Sequence, residues 1–150
     1  MNIRRACVED ADALTDVAVA AKRHWCYPEN WIRQWQEALT ITPEYVIENP
    51  TFVAAVDDEI VGFGAVQIEA GAAVLDHLWV LPQFMGRGVG RALFQHAEEI
   101  ARASAAFRMR IVGDPHAEQF YSRMGATLYG REPASMDGEA RFRPLLEKSL

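Results

Sequence analysis

Between Leu78 and Leu93 the chain passes from an apolar strand end, Leu78-Trp79-Val80-Leu81-Pro82, through a turn rich in glycine and into a helical pattern. That order is restrictive. Glycines at 86, 88 and 90 allow a tight turn and a close backbone approach to a ligand. The first unpaired N–H groups of the following helix then point at the same mouth, and the helix dipole favours negative charge there. The segment therefore predicts a buried strand, an anion-binding turn and a helix. Its spacing is neither G-x-G-x-x-G nor a glycine turn followed by Lys-Ser/Thr, so two common phosphate motifs are set aside.

What remains is Q-x-x-G-x-G, from Gln83 to Gly88, preceded by Leu78, Val80 and Pro82 in an L-x-V-x-P pattern. Further along stands Asp114-Pro115-His116-Ala117-Glu118-Gln119-Phe120-Tyr121-Ser122-Arg123-Met124-Gly125. Asp114 suits an N-cap, Pro115 the first helical position and Gly125 the C-terminal cap. The turn resembles the coenzyme A signature of the GNAT superfamily of acyl-CoA-dependent N-acyltransferases. The second segment is similar to the last helix of that superfamily, with its Asn or Asp, Ala, aromatic-Tyr and Gly. Without the turn, Phe120 and Tyr121 would read as two core aromatics on an ordinary helix.

The remaining periodicities fit the same layout. Asn2 to Ala6 predicts an edge strand, and Leu14, Val17, Ala18, Ala21 and Trp25 share one face of a first helix. After Tyr27-Pro28, Trp31, Trp35 and Leu39 share a second helical face, and Thr42-Pro43 opens a short third stretch. Phe52–Val56 and Ile60–Ile68 flank a polar turn and read as a hairpin, and Ala70-Gly71 turns the chain into Val74–Val80. Val89, Leu93, Ala97 and Ile100 mark the helix after the glycine turn. Strands follow at Phe107–Val112, Thr127–Arg131 and Arg141–Leu146. The order β-α-α-β-β-β-α-β-α-β-β covers residues 1–150 as one domain of α/β (α+β) class. By resemblance this is a mixed, mostly antiparallel sheet, splayed between the strands ending near Val80 and Val112, with helices on both faces.

Bulk properties exclude several alternatives. The chain has 150 residues, half of them apolar, and a formal charge of −6. It lacks the broad basic footprint of a nucleic-acid binder. No apolar run is long enough to span a bilayer, and the charged N-terminus is unlike a signal peptide, so a cytoplasmic location is expected. Cys7 and Cys26 fit as free thiols, and His24-x-Cys26 lacks further ligands at metal spacing, so no metal is expected.

The resemblance implies acetyl-CoA as co-substrate and assigns positions. Leu78, Trp79 and Val80 would pair with pantetheine, and a strand-end N–H would polarise the thioester carbonyl. Gly86, Arg87, Gly88, Val89, Gly90 and Arg91 would take the pyrophosphate. Arg87 and Arg91 are equally readable as solvated arginines at a helix start. Asp114, Ala117 and Phe120 would lie near the cofactor. Tyr121 would be the acid that meets the departing thiolate. Many family members carry a Glu early in the strand before the glycine turn, where this chain has Ala72-Ala73-Val74. Asp76, His77 and Glu69 are left as candidate bases, with His77 preferred for its titration near neutrality, alongside a hydrogen-bonded structural role for that histidine, a water relay to a distant carboxylate, or no dedicated base. Adjacent strand residues face opposite sides, so Asp76 and His77 converge only across a bulge.

The acceptor is read as a primary amine on a small molecule or peptide. Trp25, Tyr27 and Trp31 surround a helix break and could lid its site, with Glu29 or Glu69 pairing an ammonium group. The same tryptophans could simply seal helices onto the sheet. Arg131, Arg141 and Arg143 could instead recognise a carboxylate or line a homodimer contact. The expected reaction is direct acetyl transfer in a ternary complex; the alternative is a non-catalytic acyl-CoA-binding sensor.

Overall fold

The computed structural model describes residues Met1–Leu150. Seven strands form one sheet: β1 (Asn2–Arg5), β2 (Thr51–Val56), β3 (Glu59–Glu69), β4 (Ala72–Val80), β5 (Arg108–Val112), β6 (Thr127–Pro133) and β7 (Phe142–Ser149). Their spatial order is β1-β2-β3-β4-β5-β7-β6. Only β4 and β5 run parallel; every other neighbouring pair is antiparallel.

Helices cover both faces because apolar side chains alternate along the strands. On one face Phe52, Val61, Leu75, Met109 and Ile111 pack with Leu93, Phe94 and Ala97 of α5 (Val89–Ala103) and with Tyr121 of α6 (Glu118–Arg123). On the other, Val53 and Phe63 meet Leu14, Val17 and Ala18 of α1 (Ala11–Arg23), together with Leu39 and Val46. Phe52 and Val53, adjacent in β2, thus serve opposite cores.

The predicted helix carrying Trp31, Trp35 and Leu39 is broken. It forms α2 (Glu29–Gln34) and α3 (Gln36–Leu39), with Trp35 between them at φ −87° and ψ 0°. Trp35 turns its ring over the Lys22 ammonium group, 4.2 Å from the ring centroid. The Thr42-Pro43 stretch is α4 (Pro43–Glu48), capped by the Thr42 hydroxyl, which accepts from the Tyr45 N–H at 3.0 Å. Trp25 lies beyond the end of α1 rather than on its buried stripe.

Two irregularities make the site. The β4–β5 ladder pairs Ala72 through Leu75 with Arg108 through Ile111 and stops, so residues 76–80 part from the neighbouring strand. On the other edge of β4, Ala65 opposes His77 while Val66 opposes Leu75, leaving Asp76 as the extra residue of a bulge.

Candidate active site

The parting of β4 from β5 exposes peptide groups. Leu81 donates its N–H to the Val61 carbonyl at 2.8 Å. Antiparallel pairs alternate between hydrogen-bonded and non-bonded, so Trp79 and His77 also turn their peptide groups toward β3. Those of Leu78 and Val80 therefore face the gap, where no strand pairs with them. A polar extended chain laid in the gap would satisfy them.

The gap leads to the glycine turn. Gly86 and Gly88 have φ of +74° and +84°, a conformation that disfavours side chains, and no atom lies within 4 Å of where a Cβ would stand. The turn is open above its backbone, and Gly88 is the N-cap of α5. Gly90 has a different constraint: a Cβ there would meet Phe120 at 3.2 Å. Together these features suit a diphosphate at the helix mouth.

A cavity of about 490 Å³ runs from this turn to the middle of the sheet. Its wall includes Leu78, Trp79, Val80, Gly86, Gly88, Gly90 and Arg91 from the β4–α5 segment, with Asp114, Ala117, Phe120 and Tyr121 opposite. Two expected phosphate contacts differ. Arg87 points its guanidinium over Phe84, 5.5 Å from the ring centroid, and is not on the cavity wall. The Val89 side chain is in the core at 4% exposure, which leaves only its backbone for a ligand. Arg123, not singled out from the sequence, joins Arg91 on the wall.

A second cavity, of about 670 Å³, opens on the α1–α4 side. The two share Asp76, His77, Trp79, Val112, Gly113 and Asp114. The shared wall lies where β4 leaves β5.

Around the bulge, Asp76 and His77 both reach this junction. The Tyr45 hydroxyl donates to Asp76 Oδ2, and His77 Nε2 lies 3.7 Å from that oxygen. The indole N–H of Trp79 donates to His77 Nδ1 at 3.0 Å. An indole only donates, so the neutral imidazole must carry its proton on Nε2. Burial lowers the His77 pKa, opposed by the charge of Asp76, and favours that neutral form. Burial and the neighbouring carboxylate raise the Tyr45 pKa and keep its phenol protonated. His77, preferred as base from the sequence, thus has its lone pair engaged, whereas Asp76 retains 32% side-chain exposure.

Tyr121 is 7% exposed and lines the first cavity. Burial, then the charge of Asp114, raises its pKa well above the ordinary phenol value. Its hydroxyl is therefore a proton carrier at neutral pH. Aromatic packing fixes the ring, with Phe120 at 5.3 Å and Phe94 at 6.2 Å between centroids.

Asp114 caps the turn before α6 by accepting the His116 N–H at 2.9 Å. It also accepts from Lys22 Nζ at 2.7 Å and the Tyr27 hydroxyl at 2.9 Å. Burial opposes its charge, but Lys22 and the hydrogen bonds from Lys22 and His116 outweigh that penalty and hold the carboxyl at about 2. Asp114 thus ties α1 to the end of β5.

The expected acceptor residues are only partly gathered. Trp25 stacks on His116 at 4.7 Å and lines the first cavity. Tyr27 anchors Asp114, and Trp31 is buried with its indole N–H on Asp137 Oδ2 at 3.1 Å. The aromatic faces already hold the protein's own cations: Lys22 lies over Trp35, and Arg141 over Tyr27 and Trp35. Glu29 and Glu69 are elsewhere. Glu29 pairs with Arg23 at 2.6 Å, and Glu69 sits opposite Ala72 at the hairpin turn, the end of β4 remote from the gap. Neither lines a cavity. Arg131 is also outside, paired with Glu118 at 2.6 Å, whereas Arg141 and Arg143 line the second cavity.

Besides Arg123, Lys22 and Tyr45 are residues that sequence reasoning missed. Lys22 had a signal, since Leu14, Ala18 and Lys22 recur every four residues on an otherwise apolar stripe. Tyr45 had none.

A splayed mixed sheet thus carries an open glycine turn on one side of the gap and a second cavity across it. The chain belongs to the acetyltransferase (GNAT) family, whose profile matches residues 17–126. Streptothricin acetyltransferase of Streptomyces lavendulae is 33% identical over 100 residues, covering 62% of this chain. The chain spans about half that relative, 52% of its length. A GCN5-related N-acetyltransferase from Rhodopseudomonas palustris shares the fold at TM-score 0.81 and 24% identity, covering 99% of this chain and 95% of its own. PaiA N-acetyltransferase from Thermoplasma acidophilum, crystallised with coenzyme A, has TM-score 0.81 and 22% identity, with coverage of 99% and 98%.

Proposed function

We propose that this chain is an N-acyltransferase that moves an acetyl group from acetyl-CoA to a primary amine by direct attack in a ternary complex. The observation that carries the reading is the wall shared by the two cavities at the β4–β5 gap. Donor and acceptor held on either side would meet beside Asp76 and within the cavity that Tyr121 lines.

The donor would lie along the gap on the free peptide groups of Leu78 and Val80, with its phosphates at Gly86–Arg91. Two features support this fit: the unobstructed glycine backbone and the unpaired stretch of β4. A gap-facing N–H would stabilise the developing oxyanion; such a donor commonly contributes about 2.7–4 kcal/mol.

Asp76 would hold the incoming ammonium group and accept its proton. Tyr45 orients that carboxylate through a hydrogen bond, and His77, with Nε2 3.7 Å from it, would act as a positioning neighbour rather than as the base. The amine nitrogen forms the new bond to the acyl carbon, the carbon–sulfur bond breaks, the departing thiolate takes the Tyr121 proton, and the nitrogen gives up its second proton to solvent as the amide forms. Solvent then reprotonates the phenolate and removes the proton from Asp76.

No helix is long and apolar enough to cross a membrane. The exposed, unpaired Cys7 and Cys26 support a reducing, cytoplasmic setting. The test is free-thiol release from acetyl-CoA with amino acids, polyamines, aminoglycosides and peptide N-termini. Release that depends on one acceptor class supports the enzyme. Acetyl-CoA binding with no release across the panel supports a sensor.

A further inference from the structure

We infer that the acceptor carries a carboxylate as well as an amine, as a free amino acid or a similarly small amino-carboxylate does, and that Arg141 binds the carboxylate. This rests on the acyltransferase reading and specifies its acceptor.

The argument begins with the charges on the second cavity. Lys22 is neutralised by Asp114 at 2.7 Å, and Arg143 pairs with Glu132. Arg141 has no carboxylate partner. Its guanidinium makes only two contacts with neutral oxygens, Nη1 to the Ala134 carbonyl at 3.5 Å and Nη2 to the Tyr27 hydroxyl at 3.4 Å. Both are longer than a well-formed N–H···O bond, and a guanidinium has five donors to satisfy.

Yet Arg141 is held in place. It lies 5.4 Å from the Tyr27 ring centroid and 5.2 Å from that of Trp35. These rings restrain a half-buried cation at the cavity wall without neutralising it. A carboxylate supplies the missing charge and matches the planar fork of donors.

Asp76 supplies the opposite charge where the cavity meets the donor gap. The other carboxylate not already paired is Glu37, which is exposed on α3. An acceptor with its amine at Asp76 and its carboxylate at Arg141 would satisfy both internal charges. A polyamine or an amidated peptide N-terminus would leave the guanidinium unpaired.

The experiment compares α-, β- and γ-amino acids with their carboxamides in acetyl-CoA thiol release. Wild type, Arg141→Met and Arg141→Lys would be used after thermal unfolding shows each to be folded. We expect a ~10- to 100-fold preference in kcat/KM for the carboxylate of the best pair, the scale of one charge-assisted recognition. Arg141→Met should erase the preference through KM for the acid, and Arg141→Lys should restore part of it.

Equal or better use of carboxamides by wild type overturns the inference. Tyr121-dependent release with polyamines or peptide amides alone also overturns it while leaving the acyltransferase reading intact. If no acceptor drives release, calorimetry of the same pairs on acetyl-CoA-loaded protein decides. Binding of the acid that is lost in Arg141→Met supports carboxylate recognition even if transfer fails; no Arg141-dependent binding overturns it.

Discussion

Trp79 donates its indole N–H to Nδ1 of His77 at 3.0 Å, two residues away on the same face of β4. That bond assigns the imidazole proton to Nε2 and turns it toward Asp76. The histidine most suited by its ordinary pKa to be the base is thereby committed to one tautomer, with Nδ1 occupied and Nε2 standing 3.7 Å from Asp76 Oδ2.

Stability should report this commitment. Burial lowers the pKa of folded His77 from its ordinary value of 6.5. As pH falls below about 6.5 the unfolded chain takes up a proton that folded His77 resists, so stability declines until His77 protonates in the fold. His77→Gln should lose less stability than wild type between about pH 7 and about pH 5 in denaturant titrations. Equal losses would show that His77 does not titrate differently in the fold.

Asp76→Asn keeps an acceptor for the Tyr45 hydroxyl but removes the charge and the proton site. We expect kcat/KM for the amine to fall by ~10²–10⁴-fold with acetyl-CoA affinity unchanged. A fall of less than about threefold would remove Asp76 as the base.

Lys22 and Asp114 form a buried ion pair, with side-chain exposures of 11% and 9%. Removing one partner leaves the other charge uncompensated, so Asp114→Ala should cost about 3–5 kcal/mol in chemical unfolding. Adding Lys22→Met should recover part of that loss. The Asp114 pKa of about 2 gives a second signature. Its stabilisation is complete above the unfolded value near 3.9 and is lost as pH falls through about 2, so Asp114→Ala should flatten that part of the acid profile.

Gly88 combines a φ of +84° with open space above its backbone. Gly88→Ala should destabilise by roughly 1–2 kcal/mol from conformation alone. It should also weaken acetyl-CoA binding in calorimetry, because the new methyl group stands over the cradle. Unchanged affinity would move the phosphates away from this turn.

The parts of this site legible in the sequence were the local ones. Strand, glycine turn and helix follow one another from Leu78 to Leu93, and Asp114 to Gly125 carries a capping residue at each end. In both, chemistry and backbone are written in neighbouring residues. The bulge at Asp76 was legible only as a condition, because register depends on the partner strand. The contacts of Lys22 with Asp114 and of Tyr45 with Asp76 join residues 92 and 31 positions apart, a distance over which periodicity says nothing. Glu69 was misplaced for a related reason: the hairpin register sends it to the end of β4 away from the gap. The aromatic cluster at Trp25–Trp35 was visible as composition, but its rings hold Lys22 and Arg141 rather than standing free.

Tyr121→Phe tests the central claim most directly, since it removes one hydroxyl from a ring held by Phe94 and Phe120. Acetyl-CoA affinity and acceptor-dependent thiol release should be measured on the same preparations. The account predicts unchanged affinity and turnover reduced by ~10²–10⁴-fold. Equal turnover in wild type and variant would contradict it and take the proton donor away from Tyr121.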